Sequence, residues 1–235
     1  MIRHLVWDVG GTLFDTYPAV IDAAQAALAE LGTTLPAEAL RDLFRRSTRH
    51  ALESLSVRLG VSEADLRERF RRAYDRVPPG AQPSFEGVPE LCRLARARGG
   101  ANFIVTHRER ASVLALLDAH QLRAEFADII AKEDPFPRKP DPSSLLALIE
   151  RNGLPARECL MIGDRTLDVL AARGAGMRAC LRIDVDQAAS GHAVDGPASA
   201  DGAGADLVVR DYSELLAWLW ACPEAAERPH GAQGR

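Results

Sequence analysis

Three short apolar runs in this chain each end directly at a group that can bind a phosphoryl oxygen or a metal ion. The run at residues 5–7 ends at Asp8, the run at 103–105 ends at Thr106, and the run at 160–162 ends at the pair Gly163-Asp164. In an open parallel sheet, ligands bind beyond the carboxyl ends of the strands, so groups that directly follow strands converge on one site. This convergence constrains both the fold and the function.

Strand-like and helix-like segments alternate in the second part of the chain. The predicted helices cover 87–98, 109–120, 142–152 and 165–175, and the predicted strands cover 3–7, 102–106, 127–131, 158–162 and 178–183. Such alternation indicates βαβ units with helices on both faces of a parallel sheet. We therefore predict an α/β fold with a Rossmann-like, doubly wound parallel sheet as its core.

A helical segment interrupts this core after the first strand. Apolar residues recur at three- and four-residue spacing as far as Tyr74, and a Pro- and Gly-rich linker follows at 78–83. We predict an inserted α-helical domain at 16–83, with the core domain built from 1–15 and 84–221.

The end of the chain is predicted from composition. Residues 184–206 are rich in small and polar residues and predict a long loop, before a last strand at 207–209 and a helix that starts at Tyr212. We expect a disordered tail at 222–235.

Bulk composition narrows the choice of partner. The chain has 235 residues, 47% of them hydrophobic, a formal net charge of -4 and a pI near 5.9. These values predict no binding to nucleic acid or to a membrane surface, and they favour a small solute. Four widely spaced cysteines without a C-x-x-C pair, and no signal-peptide or membrane-spanning run, predict a cytoplasmic protein. Monomer and homodimer both remain open.

The choice of basic residues singles out one lysine. The chain has 29 cationic residues, of which only Lys132 and Lys139 are lysine. An ammonium is a compact point charge, able to balance a phosphoryl group and a carboxylate together, whereas the guanidinium of arginine is a planar fork. We therefore predict that Lys139, which directly precedes Pro140, is functional.

Four segments resemble, in their order and spacing, the four motifs of the haloacid dehalogenase (HAD) superfamily. They are the residues 8–12 (Asp-Val-Gly-Gly-Thr), Thr106, Lys139-Pro140 and the residues 163–168 (Gly-Asp-Arg-Thr-Leu-Asp). The helical insert looks like the cap of phosphoglycolate phosphatases and β-phosphoglucomutases. The resemblance implies a Mg²⁺-dependent hydrolase that acts on a small phosphorylated metabolite.

This resemblance also implies roles for the residues that follow the strands. Asp8 would be the nucleophile that forms an aspartyl-phosphate, and the backbone of Val9 and Gly10 would bind the phosphoryl oxygens. A carboxylate that faces the N–H groups of a Gly-rich turn suits that chemistry. Thr106 would donate its hydroxyl to a phosphoryl oxygen, and Lys139 would balance the negative charge.

The metal site follows from the last motif and the first. Asp164 and Asp168 are four residues apart near a helix start, so both carboxylates lie on one face and suit Mg²⁺. By resemblance, the ion is held by Asp8, the main-chain carbonyl of Gly10 and Asp164. Asp168 would stand in the outer shell or pair with Lys139.

One position departs from the family pattern. Most phosphatases of the family carry a general acid/base aspartate two residues after the nucleophile, where this chain has Gly10. A positioned proton donor contributes about 10²- to 10⁴-fold in rate. The chain could use a substitute acid, for which His107 is the candidate. It could instead act on donors with good leaving groups, or bind phosphorylated ligands without turnover.

Two other branches of the superfamily fit less well. Phosphonoacetaldehyde hydrolases use a cap lysine, and residues 16–83 contain none. Haloacid dehalogenases work without metal, yet the acid pair of the last motif is present.

The predicted cap carries a basic cluster that consists of Arg45, Arg46, Arg49 and His50. Arg49 and His50 are candidates to bind a substrate carboxylate or second phosphate, although for most of the cluster a solvated face is favoured. Asp15 resembles a hinge aspartate, and we assign it a structural role.

Overall fold

The computed structural model describes residues 1–183 and 204–221, which form a six-stranded parallel sheet with helices around it. The strands, in sequence order, are β1 (His4–Trp7), β2 (Asn102–Val105), β3 (Phe126–Ile130), β4 (Cys159–Gly163), β5 (Arg178–Arg182) and β6 (Leu207–Val209). Their spatial order is β3-β2-β1-β4-β5-β6, and every neighbouring pair is parallel. The predicted Rossmann-like fold class is confirmed.

The strand register brings the ends of the three central strands level. Trp7 of β1 pairs with Ile104 of β2 on one side and with Ile162 of β4 on the other. The next N–H along, that of Asp8, donates to the carbonyl of Ile162 at 2.9 Å. The residues that follow β1, β2 and β4 therefore lie side by side at one edge of the sheet.

Helices cover both faces of the sheet because the strands are apolar on both sides. They are α5 (Val88–Ala97), α6 (Arg110–Ala119), α7 (Ser143–Asn152), α8 (Thr166–Gly174) and α9 (Tyr212–Ala221). The first, second and fifth of these pack around Trp7, Ile104 and Ile162 in one buried cluster. The helices α7 and α8 pack on the other face, around Val6, Phe103 and Met161.

Four helices precede these and pack mainly against one another. They are α1 (Tyr17–Ala29), α2 (Ala37–Arg46), α3 (Thr48–Leu59) and α4 (Glu63–Tyr74), and a 3-10 turn follows at Pro79–Ala81. Their apolar faces form a separate buried cluster that includes Leu28, Leu40 and Leu55. This helical unit, which comprises α1 to α4, occupies the segment that the apolar spacing predicts to be helical.

Two crossing segments connect the helical unit to the sheet. The N–H of Asp15 donates to the carbonyl of Pro83 at 2.8 Å, and the N–H of Phe85 donates to the carbonyl of Leu13 at 3.0 Å. The chain therefore enters and leaves the helical unit through adjacent, hydrogen-bonded backbone. This geometry is compatible with the structural role expected of Asp15.

The predicted elements of the core agree with the observed ones to within one residue at each end. The helix from Tyr212 and the strand at 207–209 are also present. Most of the predicted loop at 184–206 and the whole predicted tail at 222–235 lie outside the described residues. Cys92, Cys159 and Cys180 are buried and free. No helix within the described residues is long and apolar enough to cross a membrane.

Gly163, at the end of β4, leaves no space for a side chain. A Cβ built there would lie 2.4 Å from the Cβ of Asp168. We expect Gly163→Ala to lower the free energy of unfolding by about 1–3 kcal/mol, because overpacking a closed core forces the backbone to shift. A Cβ at Gly80 meets nothing within 4 Å, so Gly80→Ala is the control. Urea unfolding that gives equal midpoints for both variants would contradict this reading.

Candidate active site

A buried ammonium joins two carboxylates at the carboxyl edge of the sheet. The Nζ of Lys139 lies 2.7 Å from Oδ1 of Asp8 and 2.6 Å from Oδ1 of Asp168. It also donates to the carbonyl of Val105 at 2.9 Å. All three charged side chains are at most 3% exposed. The last residue of β2, the residue after β1 and Asp168 in α8 thus share a single cation.

The charges in this cluster determine one another's ionisation. Burial would raise the pKa of Asp8, but the nearby Lys139 ammonium brings it below its usual range. Burial would lower the pKa of Lys139, but Asp168 and Asp8 raise it. For Asp168 burial prevails, and its pKa is raised despite the ammonium. Asp8 is therefore an ionised carboxylate at neutral pH, which is the state that a nucleophile requires.

The glycine before the last motif allows Asp168 to approach the cluster. Because Gly163 has no side chain, Asp168 packs directly against it, at the distances that exclude a Cβ there. The second oxygen of Asp168, Oδ2, accepts the backbone N–H of Arg165 at 3.2 Å, near the start of α8. Asp168 is thus held on both oxygens by this chain.

Asp164 contacts the Gly-rich turn and the first residue of α1. Its Oδ2 accepts the hydroxyl of Tyr17 at 2.9 Å, and Thr12 donates to its Oδ1 at 3.4 Å. Gly11 has a φ of +76°, and a Cβ there would stand 2.3 Å from Oδ2 of Asp164. Burial raises the pKa of Asp164 to about 7, and the nearby negative charge of Asp8 adds to that effect. The Arg165 guanidinium, whose Nε lies 3.8 Å from Oδ1 of Asp164, opposes this rise in pKa without cancelling it.

These oxygens fit the donor set of a magnesium ion. Asp8 directly precedes the turn that carries the carbonyl of Gly10, and Asp164 packs against that turn at Gly11. Mg²⁺ binds such hard oxygens while it keeps several waters. The described residues contain no cluster of three or more metal-binding side chains. The two oxygens of Asp168 contact Lys139 and the Arg165 N–H. Of the two expected roles of Asp168, the structure favours the pairing with Lys139.

A cavity of about 300 Å³ opens above Asp8, between the sheet edge and the helical unit. Asp8, Gly10, Thr106 and His107 form part of its wall. Asp8 is the acidic residue of the lining. The basic residues of the lining are Arg49, Arg67, Arg108, Lys132, Arg138 and Arg165. A cavity of this size and charge suits a small anionic molecule.

A family model for haloacid dehalogenase-like hydrolases matches residues 5–181, which is more than half of the chain. The chain belongs to the haloacid dehalogenase-like hydrolase family.

Curated relatives in the HAD family indicate the type of activity. The chain is 33% identical over 183 residues to a phosphoglycolate phosphatase from Nitrosospira multiformis, with 74% of this chain and 80% of the relative covered. It is 30% identical over 226 residues to a phosphoglycolate phosphatase from Photobacterium profundum, with 92% and 94% covered. The protein is therefore an enzyme, a HAD hydrolase of the phosphatase type.

Solved structures of the HAD family share the fold. A HAD family hydrolase from Deinococcus radiodurans R1, solved with bound phosphate and sodium, aligns with a TM-score of 0.74 at 21% identity, covering 94% of this chain and 96% of its own. A HAD-superfamily hydrolase of subfamily IA from Geobacter sulfurreducens aligns with a TM-score of 0.67 at 20% identity, covering 93% and 96%. At these identities the likeness concerns the fold.

Of the remaining residues that the HAD motifs and the cap pattern single out, some reach the cavity and others do not. Arg49 lines the cavity, but His50 is not in its lining, and the Nε2 of His50 lies 3.4 Å from the hydroxyl of Ser54 on the same helix. The side chain of Val9 is fully buried in the core, so only its backbone is available to a ligand. The structure thus brings Arg49, but not His50, to the site.

The structure argues against His107 as the substitute acid. Its Nε2 accepts the backbone N–H of Lys139 at 2.9 Å, so that nitrogen carries no proton. Burial, with the Lys139 ammonium adding to it, lowers the pKa of His107 to about 3. A neutral imidazole with Nε2 engaged in this way positions the Lys139 backbone rather than donating a proton to a leaving group.

The sequence does not identify several residues of the site. It suggests no role for Tyr17, Arg67 or Arg108, and Arg165 stands out only as part of the motif at 163–168. Tyr17 opens a helix beside a proline, which indicates only a helix start. Arg67 and Arg108 belong to a chain with many arginines, so their type carries no signal. Only folding brings them to one cavity.

Lys139 allows a test with an internal control, because the chain has one other lysine. We expect Lys139→Met to lower the free energy of unfolding at pH 8 by about 3–5 kcal/mol, since two buried carboxylates lose their counter-charge. Lys139→Arg should recover only part of this loss, because the larger guanidinium has to fit a closed pocket. Lys132, 47% exposed in its pair with Glu109, should cost less than about 1 kcal/mol as Lys132→Met. Similar losses for the two methionine variants in urea unfolding would count against the buried cluster.

Asp164 gives a pH-dependent prediction. Its pKa is raised from 3.8 to about 7 in the folded protein, so the ionised form costs stability that grows as the pH rises from about 4 to 7. We expect Asp164→Asn to raise the stability of the metal-free HAD protein by roughly 1–3 kcal/mol at pH 8, with the gain shrinking towards pH 4.

Magnesium supplies the second measurement for Asp164. Added Mg²⁺ should raise the Tm of the unaltered protein at pH 8, and it should leave that of Asp164→Asn unchanged. Asp118→Asn, at an exposed ion pair with Arg123, is the control, and it should move stability by less than about 0.5 kcal/mol with the Mg²⁺ response retained. An Asp164→Asn protein that is less stable at pH 8, or that still responds to Mg²⁺, is inconsistent with this interpretation.

Proposed function

We propose that the protein is a Mg²⁺-dependent phosphatase that hydrolyses a small phosphorylated metabolite through an aspartyl-phosphate on Asp8. The observation that carries this proposal is the ionised Asp8 carboxylate, bonded to Lys139 at the floor of a cavity with a basic lining. The relatives named phosphoglycolate phosphatase support a phosphorylated small molecule as the substrate.

The lining supports binding of a phosphoryl group beside Asp8. Thr106 is 5% exposed and lines the cavity at the end of β2, where its hydroxyl can donate to a phosphoryl oxygen. The backbone of Val9 and Gly10 belongs to the Gly-rich turn, whose amides suit phosphate oxygens. On the cap side, Arg49 and Arg67 provide charge for a second anionic group of a substrate.

The chemistry proposed for Asp8 depends on its neighbours. Lys139 keeps the carboxylate ionised and fixes one of its oxygens while the phosphoryl group is transferred. Asp8, the carbonyl of Gly10 and Asp164 would hold Mg²⁺, which, when bound, neutralises negative charge on the transferring group. Asp168 keeps Lys139 in place from the other side.

The domain division remains part of this proposal. The separate hydrophobic cluster of the helical unit supports a cap at 16–83 over a core built from 1–15 and 84–221. The buried free thiols of Cys92, Cys159 and Cys180 support a reducing compartment such as the cytoplasm. Such a cap closes over the cavity and excludes water during the reaction.

A second candidate function is that of a catalytically degenerate protein that binds phosphorylated ligands without turnover. Gly10 favours this alternative, because the general acid/base of the family pattern is missing there. The cavity and its charges would serve binding equally well. Turnover distinguishes the two.

An assay with p-nitrophenyl phosphate and acetyl phosphate tests the enzymatic function. We expect turnover that requires Mg²⁺, and a loss of at least about 10³-fold in kcat for Asp8→Asn, because the amide does not attack phosphorus. Asp118→Asn, at the exposed surface, should retain full activity.

The same assay separates the alternatives. Mg²⁺-dependent turnover that survives Asp8→Asn would exclude the aspartyl-phosphate. Binding of inorganic phosphate in calorimetry, without turnover of either substrate, would establish the binding protein instead.

A further inference from the structure

The space beside Gly10 holds a positive charge where the family pattern has an acid. A Cβ built at Gly10 would lie 3.0 Å from Oγ1 of Thr16 and 3.6 Å from Nη1 of Arg108. Apart from the chain neighbours of Gly10, no other atom of the described part of the chain lies within 4 Å of that position. A hydroxyl does not give up its proton near neutral pH, and a guanidinium stays charged. This space therefore contains no proton donor of the required strength.

Two side chains fix the guanidinium of Arg108 in that place. Its Nη2 donates to the hydroxyl of Tyr74 and, at 3.2 Å, to Oγ of Ser112. The guanidinium also lies over the Tyr74 ring, 5.6 Å from the ring centroid. The Tyr74 hydroxyl donates in turn to Oε1 of Gln82 at 2.6 Å. Because Tyr74 ends α4 and Ser112 lies in α6, Arg108 is held from the helical unit and from the sheet side together.

The backbone of Arg108 is also hydrogen-bonded to a residue at the carboxyl edge of the sheet. Its N–H donates to Oγ1 of Thr106 at 3.3 Å, and its side chain lines the same cavity as Asp8. The guanidinium therefore borders the cavity that Asp8 lines, beside Gly10.

We propose that Arg108 replaces the missing acid with a fixed positive charge at the leaving-group oxygen, so that the site selects phosphoryl donors whose leaving group departs as a stable anion, acyl phosphates above all. This inference rests on the proposed function, because it assigns a substrate class to the same site.

The reaction balances without a proton donor. An oxygen of Asp8 forms a bond to phosphorus while the bond between phosphorus and the leaving oxygen breaks, and the electron pair stays on that oxygen. With an acyl phosphate the leaving group is a carboxylate, which needs no proton, and Arg108 donates hydrogen bonds to it. Water then attacks the aspartyl-phosphate, loses its proton to solvent, and releases phosphate and the Asp8 carboxylate.

The substrate preference follows because a fixed positive charge and a donated proton act differently on the leaving oxygen. A fixed guanidinium stabilises a developing anion but cannot neutralise a strongly basic alkoxide. The more basic the leaving oxygen, the more the missing proton costs, at about 10²- to 10⁴-fold for a positioned acid. Alkyl phosphates should therefore be the poorest substrates.

A leaving-group series tests the proposal. The value of kcat/KM is measured with Mg²⁺ for acetyl phosphate, p-nitrophenyl phosphate, phenyl phosphate and glycerol 3-phosphate. We expect kcat/KM to fall as the leaving group becomes more basic, with glycerol 3-phosphate at least about 10²-fold below acetyl phosphate. Arg108→Gln should make this dependence steeper, with a loss of about 10-fold for acetyl phosphate and about 10²-fold or more for phenyl phosphate.

Two further variants control for folding. Arg123→Gln, at an exposed ion pair with Asp118, should leave the leaving-group dependence unchanged. Tyr74→Phe keeps the guanidinium and removes its hydroxyl tether, so it should steepen the dependence less than Arg108→Gln does. If Arg108→Gln does not fold, as judged by circular dichroism, Tyr74→Phe decides, and an unchanged slope in that variant overturns the proposal.

The possible failures are distinguishable. Glycerol 3-phosphate turned over as fast as acetyl phosphate, or equal losses on every substrate in Arg108→Gln, would overturn the role of Arg108 and leave the phosphatase intact. No turnover of any donor in the series would overturn the proposed function together with this inference.

Discussion

The contact on which the site depends is the buried ammonium of Lys139 between two carboxylates. It joins Asp8, directly after β1, and Asp168, in α8, to the last carbonyl of β2, so segments far apart in sequence meet at one atom. A buried charge is costly unless it is paired, and here each member of the cluster offsets the cost of the others. The same arrangement that closes this edge of the sheet also keeps Asp8 ionised, and stability and chemistry therefore share one requirement.

These charged groups can lie close together because the backbone beside them belongs to glycines, which have no side chain. Gly163 admits Asp168, and Gly11 admits Asp164, at distances that any side chain would prevent. At Gly10 the same absence of a side chain has a different result, because the guanidinium of Arg108 borders the free space. Three glycines thus determine where two carboxylates of the site and the guanidinium of Arg108 can lie.

Much of the fold can be predicted from the sequence, because strand-length apolar runs and helical spacing are local patterns. Asp8, Thr106, Lys139 and Asp164 follow from their positions after strands or between them, since parallel strands end at a common edge. Those residues meet as the sequence predicts, although their individual roles stay predictions.

The residues that the sequence does not reveal depend on long-range packing. Arg108 reaches the space beside Gly10 because Tyr74 and Ser112 hold it, and neither contact has a local signature. His107 illustrates the converse, because its type and position suggest an acid, while its hydrogen bond with the Lys139 backbone argues against that role. Ionisation state depends on burial and partners, which a linear pattern does not contain.

The hydrogen bond between Tyr17 and Asp164 links the position of the helical unit to the charge at the sheet edge. Tyr17 opens α1, whereas Asp164 follows β4, so the bond spans the two parts of the molecule beside the crossing at Asp15 and Pro83. A cation that binds the same carboxylate oxygen competes with the phenol for its lone pairs and weakens this hydrogen bond. Ion affinity and the freedom of the four-helix unit to swing are then thermodynamically linked, and by reciprocity each modulates the other to the same extent.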